Sequence, residues 1–412
     1  MVENVKPKFF YGYILVLAAF FIMVVTWGAI YTFGVFFKPL LIEFGWTRAE
    51  TSGAYSLFFV LHGLVYIVTG RLNDRFGPRI VMAACGFFFG LGYLLMSQIS
   101  AIWQLYLFYG VIIAIGMGGT VPLVSSVARW FVKRRGLMTG IAVSGIGAGT
   151  MIVPPVANWL ISTYDWRISY IVIGSISLVS IVLAAQFLRR DPSQMGQLPY
   201  GADEVKEESL NLKVRGFSLR KAVHTAQFWM LCIAVLGLGL CVQAIMVHIV
   251  PHAIDMGISA ARAATIMTII GGLSIAGRVI MGGYGDRIGN KPVLIIGFIL
   301  MVIALSWVVA AKELWMLYLF AIIFGFSYGG LMTLQSPMVA DLFGLHAHGV
   351  ILGAVVFSTT IGGAIGPLLA GYIFDITSSY HLAFLVYVAL SVISLALIWR
   401  LRLTSKENWA VL

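Results

Sequence analysis

The sequence predicts an all-α membrane protein whose twelve spanning helices form two pseudo-symmetric six-helix halves. Three observations predict it. Of the 412 residues, 60% are hydrophobic and only 10% charged, with a mean hydropathy of +0.96, whereas a water-soluble domain carries about 25% charged residues. Twelve apolar stretches reach the length of about 20 residues that crosses a bilayer. Landmark residues of the first six stretches recur in the last six at one fixed offset.

The apolar stretches run roughly from 10 to 38, 50 to 70, 79 to 99, 102 to 127, 136 to 163 and 167 to 188. They resume from 226 to 250, 260 to 284, 292 to 311, 314 to 340, 349 to 374 and 381 to 400. The run beginning at Tyr11 is too long for a signal-peptide core and lacks a small-residue cleavage site, so it reads as a retained helix. Residues 189–225 form the one long hydrophilic interval, mixing Asp203, Glu204, Glu207 and Glu208 with basic residues around Pro192 and Pro199. The expected organisation is an N-terminal half over 1–188, a cytoplasmic linker over 189–225 and a C-terminal half over 226–412.

The net charge of +11 does not mark a nucleic-acid binder, because the basic residues are divided among short loops instead of forming one stripe. With alternate loops on alternate sides, 21 of the 27 lysines and arginines fall on one face. Five fall on the other (Lys38, Arg48, Arg167, Arg262 and Lys312), and Arg278 stays inside a span. By the positive-inside rule the rich face is cytoplasmic, which places both termini inside and the protein in the plasma (inner) membrane.

The repeat has an offset of 212 residues. Pro39 pairs with Pro251, Gly45 with Gly257, Gly70 with Gly282, Asp74 with Asp286, Arg75 with Arg287, Gly77 with Gly289, Arg79 with Lys291, and Pro155 with Pro367. The second span thus corresponds to the eighth, and a pseudo-two-fold axis along the membrane normal relates the halves.

The stretch Gly70 to Arg79, reading GRLNDRFGPR, resembles the loop signature of the major facilitator superfamily, and Gly282 to Lys291 is its degenerate second copy. Within that superfamily, Trp130 to Ala142 (WFVKRRGLMTGIA) is similar to the pattern opening the fifth span of monocarboxylate transporters. Arg278, eight residues before Asp286, matches their eighth-span arginine. The likeness covers essentially the whole chain. It implies the major facilitator fold, no cofactor, and alternating-access symport of a small monocarboxylate, of lactate or pyruvate kind, with a proton. Oxalate:formate exchangers of the same superfamily also resemble the chain, so a carboxylate antiporter is the nearer alternative. A sensor or scaffold built on a transporter-like body is the other, but the linker of under forty residues is too small for an output module.

Arg278 is where the chemistry concentrates. Its guanidinium is charged at any physiological pH and costs about 2.5–3.5 kcal/mol at the bilayer centre. Either the side chain snorkels toward the interface, about 12 Å away along the helix, or it faces a central cavity and holds a carboxylate in its bidentate fork. Its offset partner is Tyr66, so the arginine belongs to the second half alone, unlike the loop motif. That asymmetry favours the substrate role. One mid-span cation suits one carboxylate, and the second cation that the exchangers use falls on Val355 here, which disfavours a dicarboxylate. Ser274 lies one turn before Arg278 on the same face. Tyr31, Tyr328, Gln243, Asn158, Ser358 and Thr359 are further polar groups expected to line the cavity.

The resemblance also brings a proton route that this chain departs from. Where mammalian monocarboxylate transporters place an aspartate four residues before the arginine and a lysine in the first span, Ser274 and Tyr31 stand here. No Asp or Glu lies mid-span, so His248, near the outer end of the seventh span, is the candidate proton-coupling group, with a reference pKa of ~6.5. His62 in the second span comes after it. Gly70, Asp74, Arg75, Gly77, Asp286 and Arg287 read as conformational residues that brace the ends of the paired helices.

Other patterns carry no chemistry. Cys85, Cys232 and Cys241 lie in apolar runs without metal-ligand spacing. Gly325 to Gly329 fits GxSxG, but a nucleophile elbow needs a strand before it, and this copy sits within a span; no enzyme is expected. The GxxxG pairs Gly86/Gly90, Gly136/Gly140, Gly145/Gly149, Gly349/Gly353 and Gly362/Gly366 predict close helix approach.

Overall fold

A computed structural model describes residues 10–131, 134–201, 217–344 and 347–402, with backbone alone at positions 67, 74, 121, 135, 136, 286 and 348. The middle of the 189–225 interval and the side chains of Asp74 and Asp286 therefore lie outside the described residues. Among the described residues, twelve helices are long and apolar enough to span a membrane. They are α1 (Gly12–Phe44), α2 (Arg48–Phe76), α3 (Pro78–Met96), α4 (Ile102–Trp130), α5 (Arg135–Thr163), α6 (Trp166–Ala185), α7 (Ala226–Asp255), α8 (Ala260–Ile288), α9 (Asn290–Ala310), α10 (Leu314–Phe343), α11 (His348–Thr377) and α12 (His381–Arg400).

Packing repeats with the sequence. α1 packs on α5, α2 on α4 and α3 on α6; six helices later α7 packs on α11, α8 on α10 and α9 on α12. Contacts between the two sets obey the same symmetry, since α1 meets α7, and α5 with α8 is mirrored by α11 with α2. Bundles without a hydrophobic drive between helices rely on such close backbone approach. A Cβ at Gly149 would lie 2.3 Å from the Val24 carbonyl oxygen of α1, and one at Gly362 would lie 2.0 Å from that of Leu236 in α7. The opposite surface of the helices exposes Leu17, Trp159, Val279 and Trp399, as a lipid-facing surface does.

The first helix runs past the expected end at residue 38, with Pro39 inside it, and is broken instead at Tyr31 and Thr32. The break frees carbonyls that need partners in lipid. Thr32 Oγ1 donates to the Ala29 carbonyl at 2.6 Å, and the Tyr109 hydroxyl donates to that of Ile30 at 3.2 Å.

The two ends of the bundle differ. On the side away from the termini, α2 begins with a capping box in which Thr47 and Glu50 satisfy each other's backbone N–H groups. Its next two N–H groups, of Arg48 and Ala49, donate to Asp375 of α11 at 3.0 and 2.8 Å. A carboxylate from one half thus caps a helix N-terminus of the other, where the helix dipole favours it. On the terminus side, Gly77 and Gly289 end α2 and α8 at φ +80° and +91°, a left-handed region that favours glycine. Arg75 and Arg287 stay exposed there. Asn73 donates to Ser125 of α4 at 3.3 Å and Asn290 to Asp341 of α10 at 2.7 Å, so both loop copies tether the equivalent neighbour helix.

Candidate functional site

Two glycines decide what Arg278 faces. A Cβ at Gly277 would lie 2.0 Å from the Phe326 carbonyl oxygen, and one at Gly329 would lie 2.0 Å from that of Ser274. Helices α8 and α10 therefore touch backbone to backbone across these residues, which sets Arg278 beside Tyr328. Its Cζ lies 5.7 Å from the phenol ring centroid, within cation–π range. The guanidinium is half-buried, no ion pair among the described residues includes it, and its Nε is a buried donor without a partner.

The Tyr328 hydroxyl lies 3.2 Å from that of Tyr31 at the break in α1. This bond joins the arginine-bearing second half to the first half through two buried phenols. Alongside, Tyr55 of α2 donates to Gln243 Oε1 of α7 at 3.1 Å. Gln243 is the offset partner of Tyr31, so equivalent positions of the halves present a carboxamide and a phenol. Tyr55 is a residue that sequence reasoning missed. Its signal was the helical spacing of Tyr55, Phe59 and His62, one apolar-looking face of α2.

His62 is buried on that face. It stacks on Phe58 at 5.4 Å, meets Trp27 edge-on at 5.9 Å and lies 4.1 Å from Tyr66, ring centroid to centroid. Among the described residues neither of its ring nitrogens has a hydrogen-bond partner, nor has Trp27 Nε1. Trp27 in turn lies 5.6 Å from Tyr31.

The remaining expected residues divide. The Ser274 hydroxyl donates to the Gly271 carbonyl at 2.8 Å and is wedged against Gly147 of α5, so its polar atom is engaged within a helix crossing. Thr359 presses its backbone on Gly239 and leaves its buried hydroxyl unpartnered. Ser358 donates to the Ala354 carbonyl at 3.3 Å, and Asn158 is buried on α5. The serine of the GxSxG pattern, Ser327, donates to the Gly297 carbonyl at 2.8 Å.

His248 stands apart from Arg278, on the side away from the termini. Its Nδ1 lies 2.9 Å from the Tyr380 hydroxyl and its Nε2 lies 2.9 Å from the Pro367 carbonyl oxygen and 3.2 Å from Ser52 Oγ. The carbonyl only accepts, so Nε2 carries the hydrogen and Nδ1 accepts from Tyr380. Burial raises the Tyr380 hydroxyl above the ordinary phenol range, which keeps it a donor. Arg48 donates to that same hydroxyl, giving a relay from Arg48 through Tyr380 and His248 to the carbonyl of Pro367, inside α11.

Comparison with known proteins agrees with this architecture. The model of the Major Facilitator Superfamily matches residues 19–289 and again 255–411. Monocarboxylate transporter 13 of Rattus norvegicus is 28% identical over 379 residues, 91% of this chain and 85% of that one. Monocarboxylate transporter 4 of Gallus gallus is 28% identical over 362 residues, 85% of this chain and 74% of that one. A bacterial homolog of the human lysosomal transporter Spinster, in an inward-facing and unoccupied conformation, superposes with a TM-score of 0.74 at 16% identity, covering 96% of this chain and 97% of that one, which shows a shared fold. With its twelve spanning helices, its repeated helix pairs and a family match over most of its length, the chain is an integral membrane protein that belongs to the Major Facilitator Superfamily of transporters.

Proposed function

We propose that the protein carries a small monocarboxylate, of lactate or pyruvate kind, together with a proton by alternating access across the plasma (inner) membrane, with both termini cytoplasmic. The observation that carries this reading is Arg278, a cation inside a span that leans on Tyr328, lacks a carboxylate partner among the described residues and keeps an unpartnered Nε. A guanidinium presents a fork matched to one carboxylate, and buried Val355 offers no second cation for a dicarboxylate. The relatives named monocarboxylate transporters support the same substrate class.

The geometry suits rocking halves. Arg278 and Tyr328 belong to the second half and Tyr31 to the first, so a ligand seated among them contacts both and biases their relative position. A carboxylate moving alone opposes an inside-negative potential at about 2.3 kcal/mol per 100 mV, a penalty that one cotransported proton removes. His248 is the group we assign to that coupling, because its relay ends on Arg48, at the contact between halves. The charged and titratable groups around it are Arg48, Lys38, Asp255, His252, Asp375 and Tyr380.

Radiolabelled lactate uptake into proteoliposomes under an imposed pH gradient tests the reading. Accumulation driven by the gradient is expected; uptake indifferent to it overturns the coupling, and stimulation by internal substrate without a gradient assigns an antiporter instead. Arg278→Gln should bind no labelled substrate while remaining folded. Near-normal binding by that variant returns Arg278 to an interfacial role.

A further inference from the structure

The first half departs from the second at two places, and the two places touch. α1 is broken at Tyr31 and Thr32, whereas α7 runs unbroken through the partner positions Gln243 and Ala244. α4 is wound as a π-helix over Tyr106–Ile113, whereas α10 stays α-helical through Tyr318 and Gly325. A π-turn holds more residues than an α-turn, is rare, and falls frequently at functional sites. The break in α1 is the opposite distortion. There the N–H groups of Thr32 and Val35 donate three residues back, to the carbonyls of Ala29 and Thr32 at 3.0 and 2.8 Å, which is the tighter 3₁₀ pattern.

One bond joins the wide turn to the tight one. The Tyr109 hydroxyl, in the middle of the π segment, donates to the Ile30 carbonyl at the break at 3.2 Å, and both residues are buried. The Tyr109 ring packs on Phe33, just beyond the break, with centroids 4.6 Å apart. In the repeat the partner of Tyr109 is Ala321, which has no hydroxyl to give. Glycines supply the room that a wide turn needs: a Cβ at Gly53 of α2 would meet the Tyr106 hydroxyl, and one at Gly92 of α3 would meet the Ile113 side chain. The residue after Ile30 is Tyr31, whose own hydroxyl crosses to Tyr328 beside Arg278.

We infer that Tyr109 is a positioning residue for the carboxylate site. Its bond to Ile30 makes the π segment of α4 the support of the tight turn in α1, and so fixes where Tyr31 stands against Tyr328. This rests on the reading of Arg278 as the group that holds the carboxylate. Without the hydroxyl, a buried carbonyl loses its donor, the turn is held less firmly, and Tyr31 no longer keeps one place.

Hydrogen exchange and binding of labelled L-lactate, both on the purified full-length protein, test this. Tyr109→Phe keeps the ring on Phe33 and removes the hydroxyl. It should speed amide exchange over residues 27–36 by about two- to tenfold and weaken lactate binding by a similar factor. In a Tyr31→Phe background the same substitution should no longer change affinity, because the hydroxyl it positions is gone. Tyr106→Phe, in the same π segment but bonded to the Glu50 carbonyl, should alter neither reading. Unchanged exchange over 27–36, unchanged affinity, or an equal loss of affinity in both backgrounds overturns the assignment and leaves Tyr109 a packing residue. Should Tyr109→Phe fail to fold, Thr32→Val, which removes the other side-chain hydroxyl bonded at the break, is read in the same way, and faster exchange without weaker binding overturns the coupling of the turn to the site. Failure of the carboxylate reading looks different: the wild-type protein binds no lactate, or Arg278→Gln still binds it, while exchange over 27–36 still responds to Tyr109→Phe.

Discussion

Arg48 of α2 reaches Asp255 of α7 at 2.6 Å, Nη2 to Oδ2, across the boundary between the two halves. Lys38 of α1 pairs with the same carboxylate, and the Arg48 guanidinium lies 3.7 Å over the Phe374 ring of α11. Together with the Asp375 cap on the α2 N-terminus, these contacts hold the halves together on the side away from the termini. That side is closed in this conformation.

Removing the shared carboxylate should open it. Asp255→Asn leaves two cations facing each other at a partly buried site, and losing one partner of such a pair costs about 1–3 kcal/mol after discounting for its partial exposure. That shifts a two-state population by about five- to 150-fold. Spin labels on the exposed Ile42 and Ile376, at the ends of α1 and α11, should report a longer distance in the variant. An unchanged distance distribution removes Asp255 from the closure.

The same labels read the role of His248. Protonation places a second N–H at Nδ1, pointing at a Tyr380 hydroxyl that already accepts from Arg48 and whose own proton then loses its acceptor. Proton uptake therefore loosens the closed side, and deprotonation restores it. Acidification should lengthen the Ile42 to Ile376 distance in the wild-type protein but not in His248→Gln, which should also lose gradient-driven accumulation while retaining exchange. A pH response that survives the substitution assigns the coupling to another group.

The phenol pair can be weighed directly. Tyr31→Phe and Tyr328→Phe each remove one hydroxyl from a buried bond, which is worth about 0.5–1.5 kcal/mol net. In a double-mutant cycle on substrate binding the two losses should be coupled by a similar amount. Additive effects would show that the hydroxyls serve the ligand separately.

Periodicity and charge made the architecture legible. Arginine and aspartate at matched offsets foretold the paired helices, and Arg278 announced itself because a charge inside an apolar run is rare. The aromatic surroundings of Tyr31 were less legible, since Tyr55, Trp27 and His62 sit among apolar residues where an aromatic residue reads as packing. Which polar atoms a fold leaves unpaired depends on neighbours from other helices, and no spacing encodes that. Ser274 shows the converse: it shares a helical face with Arg278, but the close approach of α5 and α10 encloses its hydroxyl. The GxxxG pairs look alike in sequence, whereas the fold sorts them. Gly86, Gly90, Gly145, Gly149, Gly362 and Gly366 meet neighbouring helices at distances a Cβ would violate, while Gly140, Gly349 and Gly353 have nothing within 4 Å of that position.

This sorting makes a final prediction, in which the decisive glycine belongs to none of the GxxxG pairs singled out in the sequence. Gly329→Ala drives a methyl to within 2.0 Å of the Ser274 carbonyl oxygen, a backbone atom that moves only if α8 and α10 separate. Overpacking of this kind costs about 1–3 kcal/mol, and because the same contact sets Arg278 beside Tyr328, substrate affinity should fall with the melting temperature. Gly353→Ala, with open space at its Cβ position, should leave both in place or raise stability by up to about 1 kcal/mol through helix propensity. Thermal unfolding in detergent together with ligand binding compares the two variants. Equal behaviour would show that the contact between α8 and α10 does not position the arginine.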